Sequence, residues 1–202
     1  ELVLYPEKRK NITEYDALDY LKRNKKLYQA VVISGGEPCM QKDLSSFLRK
    51  VKKSGFLAGL ETNGSFPEII NELLKLELID YIAMDIKAPL DAYKYGNAIG
   101  ITGNIKLQEK ILNKIRNSIQ IIASSGIKYE FRTTFTPELH GLEDAGVIAD
   151  LVKGNYALQC FVPKETVLNK AFNRIDAAFK NDLKDKYSKI KSKYRNLTLR
   201  NI

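Results

Sequence analysis

The residues best suited to chemistry follow short apolar runs. Residues 34–38 read Ser-Gly-Gly-Glu-Pro, directly after the apolar residues 30–33. Paired glycines let a ligand approach the backbone closely, and main-chain carbonyls with the Glu37 carboxylate would then accept hydrogen bonds from an ammonium group. A tight turn from a strand into a helix also uses two glycines. The pattern alone therefore leaves a binding role and a structural role equally open.

Further polar residues follow later apolar runs in the same way. They are residues 61–65 (Glu-Thr-Asn-Gly-Ser), residues 85–87 (Asp-Ile-Lys) and Arg132, which lies inside an apolar run. Because a lone buried guanidinium is costly, Arg132 favours a functional role. Asp85 and Lys87 are equally typical of a surface ion pair, and the Asn-Gly pair within residues 61–65 is typical of a turn.

Several kinds of site are disfavoured by composition. The sequence has one histidine, His140, and two cysteines, Cys39 and Cys160. A Ser-His-Asp hydrolase or a multi-histidine metal centre is therefore not expected. Neither cysteine has a second cysteine or a histidine nearby, so the spacing predicts neither a metal site nor a disulfide. We predict a solvated loop position for His140 and core positions for Cys160 and Met84.

The apolar runs are rich in β-branched residues and alternate with helical patterns, which is typical of a parallel sheet covered by helices. Proline follows four of these runs, so the polar residues above gather at the carboxyl edge, where α/β proteins bind ligands. The predicted strands span residues 30–33, 56–60, 81–84, 129–135, 157–161 and 197–199.

The helices have sequence signals of their own. Thr13 is an N-cap for the first helix, and residues 65–68 read as a capping box. Residues 107–123 and 171–194 have amphipathic helical patterns. The wider gap before the predicted strand at residue 129 leaves room for an extra segment around residues 91–105, and we predict an irregular insert there.

Length and composition predict a single domain over residues 1–202, 44% hydrophobic and 28% charged. No apolar run reaches the length of a membrane span, and residues 1–6 do not resemble a signal peptide, so we expect a cytoplasmic protein that binds no membrane.

Residues 164–202, predicted as a basic C-terminal helix and last strand, hold 11 Lys or Arg against 4 Asp or Glu. This excess of +7 favours a solvated surface over nucleic-acid binding.

The strand-end motifs also resemble a known family. Residues 35–38 resemble the motif by which radical S-adenosylmethionine enzymes hold the amino group of the cofactor's methionine. Residues 61–65, 84–89, 131–134 and 159–163 are similar, in the same order, to the activating enzymes of glycyl-radical proteins. Within that family the motifs are most similar to activating proteins of anaerobic ribonucleoside-triphosphate reductase. The resemblance covers nearly the whole sequence.

The resemblance implies a fold, an activity and partners. The implied fold is α/β, a partial (β/α)6-type barrel with a curved, mostly parallel sheet. The implied enzyme is an oxidoreductase that reductively cleaves S-adenosylmethionine with a [4Fe-4S] cluster and generates a glycyl radical on a partner enzyme. Its implied partners are a glycyl-radical enzyme that carries the target glycine in a loop and a small electron donor such as flavodoxin or ferredoxin.

Site residues are carried over only where this sequence matches the motifs. The methionyl ammonium would be held by the Gly-Gly-Glu residues, and Lys87 or Arg132 would pair with the methionyl carboxylate. Glu61 and Asp85 match positions that place carboxylates around a monovalent cation. The implied cofactor-binding residues are Gly35, Gly36, Glu37, Thr62, Asn63, Lys87 and Arg132.

One part of the family pattern is absent. The Cys-x3-Cys-x2-Cys loop that binds the cluster does not occur in these residues, and Cys39 does not replace three thiolates at fixed spacing. In relatives this loop lies just before a segment similar to residues 1–6. We therefore expect the chain to be a fragment that lacks its first strand and the cluster loop, inactive in this form.

Two other functions remain open. 7-Carboxy-7-deazaguanine synthase, a related radical enzyme that acts on a small pterin, has a sequence similar to residues 61–64, although residues 84–89 favour the activating enzyme. A cluster-free module that binds nucleic acid through the basic residues 164–202 belongs to a different class. Steep salt dependence of binding would distinguish that module.

Overall fold

Six parallel strands form one sheet in the computed structural model, which describes residues 12–152, 154–163 and 176–201. Their spatial order is their order along the chain, and among the described residues β1 and β6 are the outermost strands of the sheet. The α/β fold with a parallel, unclosed sheet is as predicted. The strands are β1 (Ala30–Ile33), β2 (Leu57–Thr62), β3 (Tyr81–Asp85), β4 (Lys128–Phe135), β5 (Tyr156–Cys160) and β6 (Leu197–Arg200).

Helices connect the strands, because parallel neighbours need a crossover connection. A short 3₁₀-helix, Pro38–Met40, also follows β1. No helix in the described part of the chain is both long and apolar enough to cross a bilayer. The α-helices are α1 (Glu14–Arg23), α2 (Leu44–Lys53), α3 (Pro67–Lys75), α4 (Ala92–Ala98), α5 (Ile105–Ala123), α6 (Asp144–Val152) and α7 (Ala177–Lys191).

The core lies between one face of the sheet and the helices. Strand residues such as Leu60, Met84 and Phe131 are fully buried there and join helix residues such as Leu48 and Ile115 in one apolar cluster. Successive side chains of a strand point to opposite faces. The alternate residues of β2, β3 and β4, which include the charged residues of interest, therefore lie on the opposite, more open face. Met84 and Cys160 are buried, as predicted.

The predicted irregular insert is wrong in part, because residues 91–105 contain α4. Asp91 caps this helix by accepting a hydrogen bond from the backbone N–H of Lys94. Tyr95 is buried and anchors the helix to the core. A seven-residue helix is too short to show a clear period in the sequence, and its cap and its single buried aromatic residue were not enough to reveal it.

Helix ends and faces also differ in detail from the sequence patterns. Thr13 caps α1, as predicted, and it also forms a capping box with Asp16. The predicted capping box of residues 65–68 is wrong: Phe66 is the N-cap of α3, and no side chain caps it. In α5 the buried stripe includes Leu112, whereas Leu107 is 40% exposed. The predicted helix over residues 171–194 is observed as α7, and residues 171–175 lie outside the described residues.

Candidate functional site

The ends of four neighbouring strands form a polar cleft of about 200 Å³ at the carboxyl edge of the sheet. Asp85 at the end of β3 pairs in register with Arg132 on β4, and Thr62 at the end of β2 pairs with Met84 on β3. Every predicted site residue except Glu37 contributes to the lining. The cleft is lined by Ser34, Gly35, Gly36, Glu61, Thr62, Asn63, Asp85, Lys87 and Arg132.

A continuous chain of hydrogen bonds and ion pairs crosses this cleft. The Ser34 hydroxyl donates to Glu61 Oε2 over 2.7 Å, and Arg132 Nη1 donates to Glu61 Oε1 over 2.8 Å. Arg132 Nε donates to Asp85 Oδ1 over 3.0 Å. Lys87 Nζ donates to Asp85 Oδ2 over 2.9 Å. The predicted alternative of a Lys87 and Asp85 ion pair is therefore observed, inside the cleft.

These contacts change the ionisation of their members. The hydrogen bond from Ser34 and then that from Arg132 lower the pKa of Glu61 below its ordinary value. Burial disfavours the charged form of Arg132, but its bond to Glu61 and the charge of Asp85 outweigh burial and raise its pKa. The Arg132 side chain is only 16% exposed. The cleft therefore holds fixed charges of both signs at neutral pH.

Glu37 lies behind the cleft, where it joins two turns. Its Oε1 accepts from the Thr62 hydroxyl over 2.7 Å and from the Cys39 backbone N–H over 3.1 Å. Its Oε2 accepts from the Asn63 backbone N–H over 2.7 Å. Glu37 is 8% exposed, and these bonds hold the turn after β1 against the end of β2. Its contact with a ligand ammonium group stays a prediction.

The two glycines after β1 differ in what they require. Gly35 has a φ of +133°, which strongly favours glycine. Gly36 has no positive φ, and a Cβ built on either glycine would meet nothing within 4 Å. Turn geometry thus accounts for glycine at position 35 but not at position 36. Open space in front of Gly36 is what a ligand in contact with the backbone would need.

The Asn-Gly pair forms the turn that its sequence indicates. Asn63 Oδ1 accepts a hydrogen bond from the Ser65 backbone N–H over 2.9 Å. Gly64 has a φ of +76°, and a Cβ there would lie 2.0 Å from Cε of Met84. The Gly64 carbonyl accepts from the buried Ser118 hydroxyl of α5 over 2.7 Å. Asn63 therefore has a structural role in addition to its place in the cleft lining.

The prediction that His140 is solvated is wrong. Its side chain is stacked on Phe135, and the residue is 6% exposed. The Thr136 backbone N–H donates to His140 Nδ1, and His140 Nε2 lies 2.7 Å from the Lys87 carbonyl oxygen, within hydrogen-bond distance. His140 thereby fixes the backbone of the loop that carries Lys87. Its only sequence signal was the Thr-Pro turn before it, which did not reveal this contact.

The thiols do not fit an iron–sulfur cluster. Cys39 and Cys160 are buried and unpaired. Burial and then the charge of Glu37 raise the pKa of Cys39 to about 12, and burial raises the pKa of Cys160. Thiolates are the ligands that such clusters need. The described residues contain no group of three or more His, Cys, Asp or Glu able to hold a metal ion.

The cleft does fit the amino-acid part of S-adenosylmethionine. That part carries one ammonium and one carboxylate group, and the cleft offers carboxylates, main-chain carbonyls and two cationic side chains. Two of the five guanidinium N–H groups of Arg132 are used by the carboxylates, and the others have no acceptor among the described residues. Lys87 is 42% exposed, with one carboxylate partner.

Comparison with known proteins gives consistent matches. The sequence model of the radical SAM superfamily matches residues 5–145. A protein of Methanocaldococcus jannaschii described as a glycyl-radical enzyme activating enzyme is 39% identical over 177 residues, which cover 86% of this chain and 71% of that protein. The 7-carboxy-7-deazaguanine synthase of Thermococcus kodakarensis is 30% identical over 126 residues, which cover 62% of this chain and 44% of that protein.

A solved structure has the same fold. The structure of Streptococcus suis SuiB bound to S-adenosylmethionine matches 94% of this chain and 42% of its own chain, with a TM-score of 0.62 and 16% sequence identity. At this identity the match shows a shared fold. This chain thus spans less than half of the length of SuiB and of the Thermococcus protein.

Proposed function

Because this chain belongs to the radical SAM superfamily of enzymes, we propose that its strand-end cleft binds S-adenosylmethionine for the activation of a glycyl-radical enzyme. The observation that carries the proposal is the convergence of four strand ends. Motifs separated by up to about 100 residues in the sequence meet in one cleft with both signs of charge. The 39% identity to the Methanocaldococcus protein supports the activating role.

Each part of the cleft has a role in this proposal. The carbonyls beside Gly35 and Gly36 and the Glu37 carboxylate accept hydrogen bonds from the methionyl ammonium. Lys87 pairs with the methionyl carboxylate, because it is the more exposed cation and Arg132 already has two carboxylate partners. Thr62 and Asn63 lie beside the carboxylate or the ribose.

S-adenosylmethionine and a [4Fe-4S] cluster, when both are bound, would supply the radical chemistry for hydrogen-atom abstraction from glycine. This chain's residues would bind and orient the methionyl group. Neither cysteine of the sequence fits as a cluster ligand, since both are buried thiols. We retain the expectation that the cluster loop lies outside these 202 residues.

The partner is proposed more narrowly as anaerobic ribonucleoside-triphosphate reductase. Residues 84–89, Met-Asp-Ile-Lys-Ala-Pro, support this assignment through their resemblance to the activating proteins of that enzyme. Flavodoxin or ferredoxin would supply the electron, and the reaction would take place in the cytoplasm.

Electron paramagnetic resonance tests this function. Protein from the complete reading frame, with its cluster reconstituted without oxygen, is mixed with S-adenosylmethionine, a reductant and the reductase. We expect a glycine-centred doublet on the reductase, formed together with 5′-deoxyadenosine. Cleavage of S-adenosylmethionine without a glycyl radical on any candidate partner would contradict the activating function.

A second candidate is 7-carboxy-7-deazaguanine synthase, which the 30% identity to the Thermococcus protein supports. The same reconstituted protein is incubated with the pterin substrate in place of the reductase. Turnover of the pterin with no glycyl radical would favour this function. We expect no turnover.

A further inference from the structure

We infer that the Arg132 guanidinium is the built-in counter-cation of Glu61 and Asp85, and that it takes the place of the monovalent cation that the sequence resemblance implies at these carboxylates. Arg132 would then be a positioning residue, which shapes the cleft through the two acids. The inference concerns the protein without any ligand, so it does not depend on the proposed function.

The geometry shows one cation between two acids. Arg132 on β4 contacts Asp85 on the neighbouring strand β3, with which it is in register. The same guanidinium extends past β3 to Glu61 on β2. Ala83 lies opposite Glu61 in the register, and its small side chain leaves room for this crossing. A planar guanidinium can serve two carboxylates at once, which a lysine ammonium does with less directional control.

Every oxygen of the two carboxylates already accepts a hydrogen bond from a side chain of the cluster or from Ser34. Both Glu61 oxygens accept hydrogen bonds, from Arg132 and from Ser34. Both Asp85 oxygens also accept, from Arg132 and from Lys87. A hard cation needs several oxygen ligands, and the described residues contain no group of three or more His, Cys, Asp or Glu that would supply them from side chains of these types.

The charges of the cluster also balance. Two carboxylates face one guanidinium and one ammonium, all at the same sheet edge. Arg132 is the most buried member, with 16% of its side chain exposed, and both carboxylates are 33% exposed. A metal ion that displaced Arg132 from the carboxylates would leave a largely buried guanidinium without a partner, which is costly.

The test measures cation binding in the absence of S-adenosylmethionine. Thermal unfolding of the wild-type chain is recorded in sodium, potassium and choline chloride at equal ionic strength, together with ²³Na relaxation. We expect the same Tm in all three salts and no excess sodium relaxation. In Arg132→Gln the cation shared by the two carboxylates is lost and Lys87 remains on Asp85 alone, so sodium or potassium should raise the Tm by about 3 °C over choline.

Arg200→Gln is the matched control, because it removes an arginine that contacts Glu130 through two bonds on the same sheet and has no contact with Glu61 or Asp85. Its Tm should not depend on which cation is present. If Arg132→Gln does not fold, the wild-type sodium relaxation decides alone. A cation-dependent Tm or sodium binding in the wild type would overturn the inference, as would an Arg132→Gln variant as insensitive to cations as Arg200→Gln.

Discussion

Two glutamates at neighbouring strand ends have different roles in the same site. Glu37 is buried and accepts hydrogen bonds from three donors of its own chain, two of them backbone N–H groups. Glu61 lines the cleft and is bound only by side chains, from Ser34 and Arg132. Glu37 therefore stabilises the turns that shape the cleft, in addition to its proposed contact with the methionyl ammonium, whereas Glu61 has its charge at the cleft surface.

Replacement of Glu37 by glutamine tests its structural role. Glutamine has an NH2 group in place of one carboxylate oxygen, so at least one of the three donors would lose its acceptor. We expect a loss of about 2 kcal/mol in the free energy of unfolding. Chemical denaturation measures the loss. Glu68→Gln, on the exposed side of α3, should change stability by only a few tenths of a kcal/mol. Equal effects of the two substitutions would contradict this role.

Ser34 should control the ionisation of Glu61. Because the hydrogen bond from Ser34 is the largest cause of the lowered pKa, Ser34→Ala should raise the Glu61 pKa towards its ordinary value. The measurement is a ¹³C NMR titration of the Glu61 carboxyl. Ser45→Ala, which removes a longer serine contact to Glu72, is the control and should leave the titration unchanged. A Glu61 pKa unaffected by Ser34→Ala would refute the assignment.

The sign of the pH effect on stability follows from the same shift. A carboxylate whose pKa is lower in the folded state stabilises the protein above its ordinary pKa, and this contribution is lost as the pH falls through the folded value. Stability should thus decrease in acid below about pH 4.5, the ordinary value for Glu61. Glu61→Gln should flatten this decrease in a denaturation series across pH.

At the scale of elements, the turn from β2 to α3 is held by packing on the neighbouring strand. Gly64 has a positive φ, and its Cα faces the side chain of Met84 on β3 without space for a Cβ. The buried Ser118 of α5 also binds the Gly64 carbonyl. Asn63, which lines the cleft, therefore owes its position to contacts from both β3 and α5.

Gly64→Ala should separate backbone strain from steric conflict. We expect a cost of about 3 kcal/mol, of which about 1 kcal/mol is the left-handed backbone and the remainder is displacement of Met84. Gly100→Ala is the matched control, since its φ is +73° and a Cβ there meets nothing within 4 Å. It should cost only about 1 kcal/mol. Similar losses for both variants in chemical denaturation would argue against the Met84 contact.

The sequence was informative about strands and less so about contacts between them. Buried parallel strands are continuous apolar runs, so all six strands were placed to within about two residues. The bridging role of Arg132 could not be predicted, because it depends on which strands are neighbours and on the register that places Arg132 beside Asp85. His140 was misjudged because its partners, Phe135 and the Lys87 carbonyl, lie on other elements.

At the scale of the whole molecule, strand order brings the site together. Since β1 to β4 are neighbours in the order of the chain, their four consecutive ends form one cleft. Two basic residues of the C-terminal region form ion pairs with the rest of the domain. Arg200 pairs with Glu130 on β4, and Lys193 pairs with Asp150 on α6. These pairs neutralise some of the excess charge and favour a structural role for this region.

Binding of S-adenosylmethionine is the measurement that tests the cleft most directly. Equilibrium dialysis is performed on protein from the complete reading frame with its cluster reconstituted. Gly36→Ala should keep the fold, because its Cβ meets no protein atom, yet place a methyl group where the methionyl part would lie. We expect binding at least about tenfold weaker, equivalent to about 1.4 kcal/mol, with an unchanged Tm.

Gly146→Ala is the matched control, since its Cβ also meets nothing within 4 Å and it lies on α6, away from the cleft. It should bind S-adenosylmethionine as the wild type does. If Gly36→Ala binds S-adenosylmethionine as tightly as Gly146→Ala does, the cofactor does not lie in the strand-end cleft and the central claim fails.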